Sequence, residues 1–105
     1  MQLLTTEHTG DGRAIELGGV VFATAIAGAN VLRDVREAIT NTLGGRMSRY
    51  ETLVDRTVER ALSSLSDKAR AAGYDGVLAV RLTHPVITDG AVEVLATGTG
   101  FRYRA

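Results

Sequence analysis

A chain of 105 residues, with 45% hydrophobic and 23% charged residues, has the length and composition of one small folded domain, residues 1–105. Twelve basic and twelve acidic side chains cancel, so no overall field attracts nucleic acid or an anionic membrane surface. The lack of cysteine excludes disulfides, thiolate metal sites and a cysteine nucleophile.

The first part of the chain has the pattern of strands interrupted by glycine. Residues 1–4 can form a short edge strand, and residues 13–17 alternate apolar and polar side chains. Gly18-Gly19 then predicts a bulge or a sharp bend. Residues 20–26 are almost wholly apolar, which predicts a strand that is buried on both faces.

Two helices are predicted next, over residues 31–43 and 49–72, separated by Gly44-Gly45. The second helix is the longest element and carries apolar residues every three or four positions: Leu53, Val54, Val58, Ala61, Leu62, Leu65, Ala69 and Ala72. At 1.5 Å per residue it extends roughly 36 Å, more than a compact domain of this size requires. We therefore expect part of its apolar stripe, around Leu62 and Leu65, to contact a second subunit.

The chain closes with a predicted β-hairpin. Residues 77–84 and 92–103 have strand patterns, and Asp89-Gly90 between them is a turn signal. The order β-β-α-α-β-β predicts a single α+β domain with a mostly antiparallel sheet and its helices on one side.

Several short motifs occur in order along nearly the whole chain. They are Gly19-Val20-Val21, Gly28-Ala29-Asn30 with Arg33-Asp34, Gly44-Gly45-Arg46 with Ser48, Tyr50 and Glu51, Gly73 with Asp75 and Val77, and Gly98-Thr99. In these motifs the chain resembles the YbjQ-like family. The resemblance implies a subunit that assembles into a ring, a pentamer or two stacked pentamers, in a family with a heavy-metal-binding label and a poorly established function.

The residues available for metal binding give that label little support. Positions that are acidic in the family pattern carry other residues in this chain: Thr24, Arg81, Thr83 and Pro85. The two imidazoles, His8 and His84, are far apart and are weak candidate ligands for a divalent metal ion. Glu51, Asp55 and Glu59 share a predicted helix face, where a charge network with neighbouring arginines is the favoured alternative to a hard cation.

Other polar residues are candidates for a ligand site or a subunit interface: Asn30, Arg33, Asp34, Arg46, Tyr50, Glu51 and Asp75. Arg46 follows two glycines. One interpretation is a binding or enzymatic site for a small anion at an inter-subunit pocket, and the favoured one is a purely structural turn. No Ser-His-Asp arrangement is apparent. We expect a non-enzymatic, homo-oligomeric binding or scaffold subunit without nucleic-acid or membrane partners. Because the N-terminus has no signal-peptide pattern, we expect it in the cytoplasm.

Overall fold

The computed structural model describes residues 1–27, 46–86 and 91–105, and for residues 46–50 only the backbone. These residues form four strands and one helix. In chain order they are β1 (Gln2–Leu3), β2 (Ile15–Ala27), α1 (Arg46–Ala71), β3 (Gly76–Thr83) and β4 (Val92–Tyr103).

The strands form one mixed sheet in the order β1-β3-β4-β2. The β3–β4 hairpin is antiparallel, β2 pairs antiparallel with β4, and the short β1 pairs parallel with β3. The fold is therefore α+β with a mostly antiparallel sheet, as the sequence predicts. Long β2 lies at one end of the sheet and short β1 at the other.

Helix α1 packs across the sheet and forms the core with it. Ala61, Leu65 and Ala69, at spacings of four, are completely buried against the small side chains of Ala23 and Ala25 on β2. The alanines on both elements let the helix approach the strand closely, as dense core packing requires. Thr57 is also buried on this helix, and its hydroxyl donates a 2.8 Å hydrogen bond to the carbonyl of Leu53.

Tyr74, just after the helix, explains why β2 and β4 carry glycines where they do. A Cβ at Gly18 or Gly100 would collide with the Tyr74 ring, so the ring needs both glycines to lie against the sheet. The Tyr74 hydroxyl accepts a 2.9 Å hydrogen bond from the Gly19 N–H. At this point the pairing of β2 with β4 shifts register, so the bulge predicted at Gly18-Gly19 is present.

Three sequence expectations need correction or fall outside this description. Residues 13–17 and 20–26 were expected to form two strands, but they belong to the single strand β2, which continues through the bulge. Strand β2 is not buried on both faces, because α1 covers only one of them. The helix predicted over residues 31–43 lies outside the described residues.

Candidate functional site

The outer face of β2, opposite the helix, is largely apolar and exposed, although Thr24 also lies on it and the Lys68 ammonium of α1 reaches to 5.0 Å from the Phe22 ring centroid. Leu17, Val20, Phe22 and Ile26 are 65%, 76%, 56% and 52% exposed, whereas the alternate residues on the inner face are buried. We call these four residues the outer stripe. Four large apolar side chains along one strand form the kind of contiguous patch that marks an interaction surface.

Part of the backbone edge of β2 is also available for pairing, although the Gly19 N–H donates to the Tyr74 hydroxyl and Arg60 Nη1 lies 3.4 Å from the Ile26 carbonyl oxygen. Within the described ranges, β2 pairs with β4 on one side only, although it is 13 residues long. An exposed strand of this length presents a row of N–H and C=O groups on which another chain can pair. The outer stripe and the free edge therefore belong to the same strand and can be covered together.

One end of the outer face is closed by the N-terminal segment. The Tyr103 hydroxyl lies 3.2 Å from Asp11 Oδ2 and 3.0 Å from Gln2 Oε1, and the Arg13 guanidinium stacks 3.6 Å from the Tyr103 ring centroid. Thr9 Oγ1 donates to Asp11 Oδ1 at 2.6 Å. These contacts attach residues 2–13 to the last residues of β4.

The same contacts shift two pKa values. The hydrogen bond from Thr9, followed by that from the Arg13 N–H, lowers the pKa of Asp11 below its ordinary value of 3.8. Desolvation raises the pKa of Tyr103, and its hydrogen bond with Asp11 acts in the same direction. Asp11 therefore favours its charged form in the folded protein, and Tyr103 its neutral form.

A groove lies on the other side of the molecule, where α1 meets β3 and the N-terminal segment. It has a volume of about 410 Å³ and is lined by Leu3, Thr5, Leu62, Val80, Arg81 and Leu82. Arg81 is the charged residue in this lining, and its Nη1 donates to the carbonyl oxygens of Thr5 and Val80 at 2.8 and 2.9 Å. We call this cavity the Arg81 groove.

The structure describes only some of the ligand-binding candidates that the sequence suggests. Asn30, Arg33 and Asp34 lie outside the described residues. Arg46 and Tyr50 lie in the first turns of α1, where only the backbone is described.

Two further candidates have described side chains. Glu51 is exposed on α1. Asp75 accepts a 2.7 Å hydrogen bond from the Tyr103 N–H, and its own N–H donates to the Phe101 carbonyl. Asp75 thus joins the segment after the helix to β4.

The candidate metal ligands do not converge within the described residues of the chain. Residues 1–27, 46–86 and 91–105 contain no group of three or more histidine, aspartate or glutamate side chains placed to hold a metal ion. Glu51 and Glu59 are eight positions apart on α1, roughly 12 Å along its axis, with exposed Asp55 between them. Three carboxylates spread over this distance cannot all ligate one cation within a single chain.

Two features were not predicted from the sequence: the outer stripe, and the position of Arg81 beside an apolar groove. An almost unbroken apolar run typically indicates a strand covered on both faces, so the run from Val20 to Ile26 gave no sign that one face is open. Arg81 drew attention only because the family pattern suggests an acidic residue there. In β3, Arg81 lies between Val80 and Leu82. This alternation was the available signal that a charged side chain lies beside the apolar lining of the groove.

Fold and surface together define a small α+β domain with an exposed face on strand β2. A family model described as "Putative heavy-metal-binding" matches residues 1–104. The chain therefore belongs to the YbjQ-like family, whose curated relatives carry the name UPF0145 and whose function is not established.

Relatives match over almost their whole length. A UPF0145 protein of Geobacillus kaustophilus is 36% identical over 104 residues, covering 98% of this chain and 99% of the relative. One of Halorubrum lacusprofundi is 34% identical, covering 99% and 100%. A crystal structure from Pediococcus pentosaceus, of a protein with unknown function in the DUF74 family, covers 99% of this chain and 98% of its own. Its TM-score of 0.67 at 18% identity shows a shared fold.

In the parts of the chain that the structure describes, no helix combines enough length with enough apolar character to cross a membrane.

Proposed function

We propose that this chain is a non-enzymatic subunit that self-associates through the outer face and free edge of β2, and that the assembly serves as a binding or scaffold unit. The open outer stripe carries the proposal. Leaving Val20, Phe22 and Ile26 in water forgoes about 25 cal/mol for each Å² of apolar surface that a partner could cover. A second copy of the chain is always present to supply that cover.

Charge also permits self-association. The net charge is zero, so identical subunits do not repel one another at long range.

The two edges of the sheet differ, with long β2 at one and short β1 at the other. Pairing of β2 with a different surface of the next copy generates a ring where the rotation between copies closes and a filament where it does not, whereas pairing of β2 with itself generates a two-fold dimer. We favour the ring, a pentamer or a pair of stacked pentamers.

Native mass spectrometry of the untagged protein and of Val20→Glu tests the proposal. Val20 is 76% exposed in the subunit, so a carboxylate there costs the isolated fold little and is unfavourable in an apolar interface. We expect a multimer for the wild type and a monomer for Val20→Glu. An odd subunit number would exclude purely two-fold pairing.

Val86→Glu is the matched control. Val86 is 87% exposed and lies outside the outer stripe, so the same chemical change should leave the mass unchanged. A wild-type monomer would refute self-association. Multimers of equal mass in the wild type and Val20→Glu would show that the outer stripe is not the interface.

The same native mass spectra also test two alternative functions. The family description favours a divalent or heavy metal ion, which would need donors from several subunits, for example His8 or His84 gathered around a ring axis. A small anionic ligand at an inter-subunit pocket near Arg46 is the other. A stoichiometric extra mass lost on His84→Ala or His8→Ala would favour a metal site, and one lost on Arg46→Ala would favour the anion.

A further inference from the structure

We propose that the Arg81 groove binds a small monocarboxylate whose body is a short branched chain or a single aromatic ring. The inference gives the binding role proposed above a chemical class and rests on that role. It concerns a region separate from the outer stripe, so occupancy of the groove and self-association can be measured independently.

The groove has the size and lining of a small-molecule site. Its volume of about 410 Å³ lies within the 300–1,000 Å³ typical of ligand pockets. Leu3, Leu62, Val80 and Leu82 line it with aliphatic carbon, and Thr5 adds a hydroxyl. Such a lining favours an apolar body and leaves the orientation of the ligand to the few polar groups.

Arg81 supplies a fixed positive charge at the groove. Its Nη1 is held by the Thr5 and Val80 carbonyl oxygens, which orient the planar guanidinium. Among the described residues, the Nε and Nη2 atoms of Arg81 have no hydrogen-bond partner. Arg81 also forms no ion pair with a described carboxylate. Arg81 therefore keeps donors that are free to bind an acceptor.

The wall that holds Arg81 is built by an unusual backbone segment. Ala79 has a φ of +53°, a left-handed conformation that is rare for a residue with a side chain. This residue lies in a register shift between Leu78 and Arg81, and its N–H donates to the Thr6 carbonyl at 2.8 Å. The Val80 N–H donates to the Leu4 carbonyl at 2.9 Å. The segment that contains Thr5 is thereby fastened to β3, with its carbonyl in reach of Arg81.

A single arginine matches a singly charged acceptor. A carboxylate can accept two parallel hydrogen bonds from one guanidinium, while the aliphatic lining contacts the apolar body of the ligand. A phosphate with two negative charges usually requires further cations or a cluster of backbone N–H groups, and Arg81 is the one cationic side chain in the groove lining. The chemistry therefore favours a monocarboxylate.

Ligand-observed fluorine NMR with 4-(trifluoromethyl)benzoate tests the inference on the full chain. We expect saturable binding to the wild type. Arg81→Met removes the charge but keeps an apolar side chain, and should weaken binding at least about tenfold. The neutral 4-(trifluoromethyl)benzyl alcohol should bind weakly and respond less than twofold to the same substitution. Leu82→Trp, which fills the groove, should abolish benzoate binding.

Arg104→Met is the matched control, because Arg104 is an exposed arginine outside the groove. It should bind benzoate like the wild type. Arg81→Lys keeps the charge but not the planar fork, and an intermediate affinity would support the proposed geometry even if Arg81→Met folds poorly. No saturable binding to the wild type, or equal losses for Arg81→Met and Arg104→Met, would overturn the inference. Native mass of the same samples reports separately whether self-association has failed.

Discussion

The two faces of β2 have similar apolar side chains and opposite environments. On the inner face, Val21 and Ala23 are buried beneath α1, whereas on the outer face Val20 and Phe22 are more than half exposed. The free energy gained by covering apolar surface does not depend on which molecule covers it. The comparison shows that one strand can contribute to both the core of its own subunit and a surface suited to a partner.

Disrupting the inner face should have the largest effect on stability. Leu65 is completely buried between the helix and β2, so Leu65→Ala removes core contacts and leaves a cavity. We expect it to lower the free energy of unfolding by about 3 kcal/mol. Urea unfolding of the Val20→Glu subunit at a fixed protein concentration measures this loss without the contribution of assembly. The expectation that Leu65 contacts a second subunit is wrong, because its own chain buries it completely. Half-buried Leu62 lines the Arg81 groove.

Leu17→Ala in the same background is the matched outer-face substitution. Leu17 is 65% exposed in the subunit, so the change should lower the free energy of unfolding by less than about 0.5 kcal/mol. Losses of similar size for Leu65→Ala and Leu17→Ala would contradict the assignment of one covered and one open face.

We expect a smaller effect on stability from Asp11, which lies at the end of the outer face that the N-terminal segment covers. Because its folded-state pKa is lowered, Asp11 stabilises the protein above its ordinary pKa of 3.8 and loses that contribution as the pH falls through the folded value. Comparing unfolding at pH 7 and pH 3, we therefore expect a smaller loss of stability on acidification for Asp11→Asn than for the wild type.

Asp67→Asn is the control for this pH dependence. Asp67 is exposed on α1, and its partner Arg70 is 3.6 Å away on the same helix. Its substitution should leave the acid dependence close to that of the wild type. Identical acid dependence in the wild type and Asp11→Asn would show that the contacts around Tyr103 do not contribute.

Much of the fold follows from local patterns in the sequence. The helix predicted over residues 49–72 is present as Arg46–Ala71, because spacings of three and four identify an amphipathic helix whatever its partner. The hairpin of β3 and β4 is also confirmed, since two strand patterns flank a strong turn signal. The short edge strand near the N-terminus is present as Gln2–Leu3.

The environment of each face could not be predicted in the same way. Residues 20–26 are apolar on both sides, and composition alone cannot distinguish cover by the helix from cover by another chain. The glycines of β2 and β4 predicted a close approach, but Tyr74, whose ring makes that approach, is distant from them in sequence. The Arg81 groove likewise depends on hydrogen bonds between residues 4–6 and β3, which no local pattern reveals.

Hydrogen–deuterium exchange of the wild type and Val20→Glu tests the central claim most directly, because it locates the covered surface along the chain. We predict that amides in residues 20–27 exchange more slowly in the wild type, since a partner covers the free edge of β2, while those of residues 61–69 exchange equally in both. Equal exchange of residues 20–27 in two proteins of different native mass would contradict the assignment of β2 as the self-association surface.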